Sequence, residues 1–317
     1  MSLMAVFKGR YGATGFGFAS TAEEVCASVD LSGKTVLVTG VNSGIGLETA
    51  RVIGARGAHV VGLARTREKA TAALASAGAN GTPIECDLAA PETVRAAAAR
   101  VRDVGKPLDA VIANAGIMGL PTLTQAHGYE LQFFTNHIGH FLLVTSVLDA
   151  LAPDARVVVV SSGAHMFAPH GGIEFDNLSG ARGYSPFRAY GQAKLANVLF
   201  ARALARRFAG TRRTANAVHP GGIHTNLARH MQSRLMAGLT AAFGWIGMKS
   251  IAQGAATQCF VAVHPRASGI TGRYWVDCNV ARPSRLAESE SLAEELWQTS
   301  ERIGAALGPP RAIRDRR

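Results

Sequence analysis

Thr35-Val36-Leu37-Val38-Thr39-Gly40-Val41-Asn42-Ser43-Gly44-Ile45-Gly46 is the stretch that decides the fold. Its first four residues form a short apolar run suited to a buried strand, and a helical pattern follows the glycines to about residue 56. Strand, glycine-rich turn and helix in that order present backbone N–H groups and a positive helix end to a pyrophosphate. Gly40 serves the tight turn, Gly44 lets the backbone approach phosphate, and Gly46 lets helix and strand pack closely. Asn42, Ser43 and Ile45 complete the loop. A glycine-rich loop alone is also an ordinary turn; its place between strand and helix is what favours a nucleotide.

Working outward, the next apolar run, His59 to Leu63, ends at Ala64-Arg65. An acidic side chain there would bind the adenosine ribose hydroxyls; Arg65 instead suits a 2′-phosphate, which favours NADP(H) over NAD(H). The alternative is an ordinary surface arginine at a strand end. Asp87 and Leu88 follow a short strand at 83–86 and are expected beside the adenine. A strand at 110–113 ends in Asn114-Ala115-Gly116, a helix over 127–150 carries Asn136, and a strand at 156–160 ends in Ser161-Ser162. These positions converge outside the carboxyl ends of parallel strands, where such sheets bind ligands. A helix at 190–209, a strand at 214–218, the loop Pro220-Gly221-Gly222-Ile223-His224-Thr225, a strand at 273–276 and a helix at 290–306 complete the alternation. That alternation predicts an α/β fold: a single Rossmann-type doubly wound parallel sheet with helices on both faces. Residues 1–30 are expected to be an arm packed on the main unit at 31–283, with a helix and basic tail at 284–317.

The 317 residues are 48% hydrophobic and 17% charged, enough apolar content for a large core and too much for disorder. A net charge of +11 is spread along the chain, which favours anionic ligands, and no aromatic residues interleave a basic patch as nucleic-acid binding would require. Cys26, Cys86, Cys259 and Cys278 have no metal-ligand spacing and read as reduced thiols. No apolar stretch reaches the roughly 18 residues of a membrane span, so a soluble cytoplasmic protein without a membrane anchor is expected. His219 and His224 have no second ligand at metal spacing, so no metal is assigned. Residues 226–250 form an apolar, partly helical stretch that suits either a substrate lid over about 224–250 or a subunit contact or core helix.

Tyr190-Gly191-Gln192-Ala193-Lys194 carries the chemistry. Four residues apart on a helix, tyrosine and lysine share a face. An ammonium beside a phenol is expected to lower its pKa, giving a group that protonates a carbonyl oxygen or deprotonates an alcohol. Taken alone, the spacing also fits a surface aromatic beside a solvated lysine.

Together these motifs resemble the short-chain dehydrogenase/reductase family: the turn at 39–46, Asn114-Ala115-Gly116, Asn136, the strand-end serine, Tyr190-x-x-x-Lys194 and Pro220-Gly221 stand in the family's order. Asn136-His137-Ile138-Gly139-His140-Phe141, Lys194 to Phe200, His219-Pro220-Gly221 and Gly254 to Thr257 are similar to the retinol dehydrogenase-like and WW-domain oxidoreductase-like branch. The interval from Ser162 to Tyr190 is longer than is common in the family and is expected to hold a small hairpin or loop. The resemblance implies that Tyr190 is the general acid/base and that Lys194 tunes it and holds the nicotinamide ribose. It further implies that Ser162 bonds the substrate oxygen and that Asn136 holds a water linking Lys194 to solvent. Pro220, Gly221, Ile223 and Thr225 would wrap the nicotinamide end. The implied activity is an NADP(H)-dependent carbonyl reductase or alcohol dehydrogenase with a bulky hydrophobic substrate, in a homodimer or homotetramer. A catalytically silent NADP-binding regulator on the same fold is the alternative, and the full set of four catalytic side chains argues against it. No serine lies on a G-x-S-x-G elbow, which argues against a hydrolase.

Overall fold

The computed structural model describes residues 12–223 and 248–308. Strand β1 (Thr35–Thr39) is buried along its whole length. Leu37 faces one hydrophobic core while Val36 and Val38 face the other, the alternation expected of a strand covered on both sides. Helix α2 (Gly44–Ala55), after the short α1 (Ala22–Cys26), returns the chain to β2 (His59–Ala64). The pattern repeats through α3 (Arg67–Ser76), β3 (Gly81–Glu85), α4 (Pro91–Asp103) and β4 (Leu108–Ala113). β4 pairs with the other edge of β1, so the order of strands reverses between them. That reversal opens a crevice at the carboxyl ends of β1 and β4.

Gln125–Ala126 (β5) and Tyr129–Glu130 (β6) then form a separate hairpin. The expected helix at 127–150 therefore begins only at Leu131. His127 and Gly128 both have positive φ (54° and 83°), the geometry of a two-residue hairpin turn. Helix α5 (Leu131–Phe133) passes through a π turn (Phe134–Ile138) into α6 (Gly139–Ser146). β7 (Leu151–Val160) starts five residues before the apolar run read as a strand, with an irregularity opposite Leu108–Ala110 in β4.

Two 3₁₀ turns, Gly163–Phe167 and Phe175–Asn177, fill the interval where a hairpin was one expectation. Pro169 and three left-handed glycines (Gly172, Gly180, Gly183) break up any ladder there. Helix α7 (Pro186–Arg207) starts four residues earlier than read, with Pro186 in its first turn. β8 (Thr214–His219), α8 (Ile251–Val263) and β9 (Tyr274–Val276) follow, and β10 (Asn279–Ala281), unforeseen, turns back antiparallel on β9. The sheet order is β10-β9-β8-β7-β4-β1-β2-β3, parallel apart from β10.

On one face α4, α6, α7 and the last helix, α9 (Glu290–Ala306), bury the core; on the other lie α1, α2, α3 and α8. Trp297 of α9 packs edge-on to Phe141 with ring centres 5.0 Å apart, and the Arg207 guanidinium covers its face at 3.7 Å. The described part of the N-terminal segment is tied to the far edge of the sheet. Thr14 Oγ1 donates to Cys278 O (3.0 Å), Asn279 Nδ2 donates to Phe16 O (2.9 Å), and Val25 and Cys26 enter the core beside α8.

Candidate functional site

The crevice is built from the end of β1. Gly40 adopts φ +71°, and its amide donates to Leu63 O at 2.8 Å, which bends the chain sharply out of the sheet. A Cβ at Gly46 would lie 2.2 Å from Gly40 O, so only glycine lets α2 approach the turn this closely. Thr39 staples β1 to β4: its Oγ1 accepts from the amides of Asn114 and Ala115, both at 2.9 Å, and its carbonyl accepts from Asn114 Nδ2 at 2.7 Å.

Ser43 caps α2 through its backbone alone, with no side-chain bond to the first turn. The amides of Gly44, Ile45 and Gly46 thus have no intrahelical acceptor, and with Asn42 and Ser43 exposed they form an anion cradle. The donor set, the left-handed Gly40 and the cradle a Cβ would fill at Gly46 all fit a dinucleotide pyrophosphate.

Arg65 is exposed at the end of β2 and makes no hydrogen bond or ion pair among the described residues. Asp87 is half-buried, and its Oδ1 accepts from Ala89 N at 3.0 Å; Leu88 is buried beneath it. On the opposite wall Pro220 is buried, Gly221 has φ +97°, and Ile223 bridges Lys249. His219 Nδ1 accepts from both Gly163 N (3.2 Å) and Gly221 N (3.3 Å), which joins the serine turn to this loop. Thr225, His224, most of the 224–250 stretch and the basic tail lie outside the described residues. No cluster of three metal-ligating side chains occurs among the described residues.

Four side chains converge where β7 and α7 meet. Strand alternation separates the two serines: Ser161 is buried and its hydroxyl donates to Lys194 O at 2.7 Å, whereas half-buried Ser162 faces Tyr190. Ser162 Oγ also accepts from Ala164 N at 3.1 Å. Lys194 Nζ donates to Val160 O at 3.1 Å and stands 5.6 Å from the Tyr190 ring centre. Asn197 Nδ2 shares that carbonyl at 3.0 Å. Asn136 sits in the π turn and clamps the backbone of Ile117, its Oδ1 accepting from the amide (2.8 Å) and its Nδ2 donating to the carbonyl (2.9 Å). A Cβ on Gly116 would come within 3.0 Å of Asn136 Oδ1 and 3.6 Å of Lys194 Nζ, so this glycine keeps the floor of the site open.

The electrostatics correct one expectation. Burial pushes the Tyr190 phenol up to about 12, only partly countered by its hydrogen bond with Ser162. Burial likewise pulls Lys194 down to about 8. The lysine amine points at a backbone carbonyl and not at the phenol oxygen, so desolvation outweighs its field. Tyr190 is thus held protonated.

Sequence reasoning missed two residues. His140 links Thr39 to Asn136 (2.9 Å to each). Lys249 is fully buried beneath Gly221 and paired with Asp277 at 2.6 Å. The signal for Lys249 was a lysine closing the uncharged, mostly apolar run from Leu235 to Met248. For His140 it was a second histidine three residues after His137, one helical turn on. A surface cleft of about 660 Å³, between the β5–β6 hairpin and α9, contains none of the four converging residues.

A doubly wound sheet with this cradle and a buried tyrosine–lysine pair beside it defines a nicotinamide-dependent oxidoreductase. More narrowly, the chain belongs to the short chain dehydrogenase family, which matches residues 34–235. A Brassica napus protein named short-chain dehydrogenase TIC 32 B, chloroplastic, is 41% identical over 97% of this chain and 100% of its own length. Mouse retinol dehydrogenase 14 is 38% identical over 86% of each chain. A solved short chain dehydrogenase from Burkholderia cenocepacia J2315, in complex with NADP, is 25% identical; the match covers 78% of this chain and 96% of that one, with a TM-score of 0.63.

Proposed function

We propose that the protein is an NADP(H)-dependent carbonyl reductase and alcohol dehydrogenase for a bulky hydrophobic ketone, aldehyde or alcohol. The observation that carries this reading is the convergence of Tyr190, Ser162, Lys194 and Asn136 beside the glycine cradle. The nicotinamide supplies or accepts the hydride. Tyr190, buried and protonated, donates its proton to the carbonyl oxygen in reduction and takes it back in oxidation. Ser162, already bonded to the phenol, holds the same oxygen and fixes its approach. Lys194, anchored on Val160 O, binds the ribose and replenishes the phenol's proton, and Asn136 lies close to it across Gly116.

NADP over NAD rests on Arg65, an exposed guanidinium free of protein partners among the described residues at the strand end where the adenosine ribose would lie. A hydrophobic substrate is supported by Met166 and Phe167, 67% and 71% exposed in the turn that starts after Ser162, and by Phe187, 47% exposed three residues before Tyr190. A homodimer or homotetramer belongs to the same proposal. So does cytoplasmic residence, supported by four unpaired buried cysteines; the Brassica relative's name places that protein in the chloroplast. Among the described residues no helix is long and apolar enough to cross a membrane.

The test is NADPH consumption, with NADH in parallel, against bulky aromatic ketones, long-chain aldehydes and retinal. Turnover by the wild type that is lost in Tyr190→Phe supports the proposal. Tight NADPH binding without turnover across the panel refutes it in favour of a regulator.

A further inference from the structure

His140 lies in the buried interior with no exposure to solvent. Its two ring nitrogens nevertheless touch two parts of the proposed site. Nε2 is 2.9 Å from Thr39 Oγ1, at the last residue of β1 before the phosphate turn. Nδ1 is 2.9 Å from the main-chain carbonyl of Asn136 in the π turn.

The roles of these nitrogens follow from counting hydrogens. A threonine hydroxyl has two lone pairs and one proton. Both lone pairs of Thr39 Oγ1 are already taken by the amides of Asn114 and Ala115. Its one remaining capacity is to donate, so His140 Nε2 must accept. The imidazole proton then sits on Nδ1 and is donated to Asn136 O, which has only acceptor capacity. The two ends of the ring independently require the same neutral tautomer.

We propose that His140 is a positioning residue: a one-tautomer bridge that holds the cofactor turn at Thr39 and the catalytic Asn136 in fixed register. This rests on the oxidoreductase reading above. Asn136 is the far pier of the bridge. Its side chain grips Ile117 at both backbone atoms, next to Gly116 and Lys194 Nζ. A shift of the π turn is therefore passed to the wall beside Lys194, while a shift of Thr39 is passed to Asn114, Ala115 and Gly40. A side chain that merely filled this space would need neither nitrogen.

The two halves of the bridge can be cut separately. In His140→Asn, the amide nitrogen stands where Nδ1 was, keeping the bond to Asn136 O and losing Thr39. In His140→Gln, the longer amide reaches Thr39 and leaves Asn136 O. NADPH affinity is read by fluorescence titration and turnover by steady-state kinetics. His140→Asn is expected to weaken NADPH binding by about tenfold with kcat nearly kept. His140→Gln is expected to keep NADPH affinity and lose kcat by about 10- to 100-fold, the scale set by small misplacements of reacting groups.

In ¹⁵N spectra of the wild-type chain, the resonance pair that disappears in His140→Phe must show the Nδ1–H tautomer. An Nε2–H tautomer overturns the proposal. So does a parallel change of affinity and kcat in the Asn and Gln variants, or no change in either. If the phenylalanine variant fails to fold, the Asn and Gln variants identify the resonance. Tautomer and NADPH affinity are measured without turnover, so they test the bridge even where no carbonyl is reduced; that second result counts against the proposed function alone.

Discussion

Replacing Lys249 by methionine should destabilise the protein far more than a single lysine on a surface would. The lysine is 1% exposed, its Nζ lies 2.6 Å from Asp277 Oδ1, and the Phe18 ring lies 5.1 Å away. Methionine keeps the apolar stem that packs under Gly221 but strands the Asp277 carboxylate, which is only 18% exposed. Removing one member of a buried ion pair costs about 3–5 kcal/mol, and partial solvation of Asp277 puts Lys249→Met near the lower end, about 3 kcal/mol. Asp277→Asn strands the more deeply buried charge and should cost about 5 kcal/mol by the same argument. Asparagine tolerates the left-handed backbone at this position (φ 51°), so the cost is electrostatic and not conformational. The double variant Lys249→Met/Asp277→Asn leaves no stranded charge and should recover most of the loss. Urea unfolding of the four proteins measures these differences and their coupling. A cost below about 1 kcal/mol for Lys249→Met, or additive single costs in the double variant, would show that the pair is screened as a surface pair is. Lys249 N also donates to Gly222 O at 2.7 Å, so the destabilised variants should bind NADPH more weakly at concentrations where they remain folded.

Three further outcomes follow from the site. Lys194 carries a pKa lowered to about 8, so carbonyl reduction, which needs its proton, should hold level below that pH and fall above it, while alcohol oxidation rises over the same range; a flat profile across it would remove Lys194 from the proton path. Gly46→Ala puts a methyl 2.2 Å from Gly40 O and should abolish NADPH binding by levering α2 away, whereas Gly78→Ala, with open space around it and a left-handed backbone, should cost only about 1 kcal/mol in unfolding experiments and leave binding intact. Arg65→Ala should weaken NADPH binding by about tenfold and leave NADH binding unchanged, as loss of one charge-assisted contact to a 2′-phosphate predicts; equal weakening of both would reassign Arg65 to the surface.

The centre of the sheet was legible because its strands are buried on both faces, so apolar runs such as Val36-Leu37-Val38 and Val157 to Val160 announce themselves without competing patterns. The edges were not. β10 is a three-residue strand with an exposed Val280, and its pairing depends on Asp277 and Cys278 adopting positive φ, which non-glycine residues do not advertise. The β5–β6 hairpin hid for a related reason: His127-Gly128 makes the turn, but the apolar residues after it run on into a helix, and the eye extends that helix backwards. β7 gained its first half from Leu151 pairing beyond an irregularity, a tertiary contact that no local propensity records.

The candidate site divides along the same line. Gly40, Gly46, Asn114, Tyr190 and Lys194 were found because each is fixed by a short-range requirement: a turn, a close approach, a shared helix face. What local pattern could not supply is the electrostatic state. A tyrosine and a lysine one turn apart read as a phenol made acidic by an ammonium, yet burial of both groups reverses the sign for the tyrosine and brings the lysine toward neutrality. Desolvation depends on everything packed around α7, including α9 more than ninety residues later in the chain, so it enters only with the whole fold. Long-range hydrogen bonds share that property. Thr39 reaches Asn114 and His140 across 75 and 101 residues, and its hydroxyl can be read as the hub between cofactor turn and catalytic helix only once three strands of sequence stand side by side. Spacing therefore predicts which groups meet, while the protonation state each is held in is a property of the assembled core.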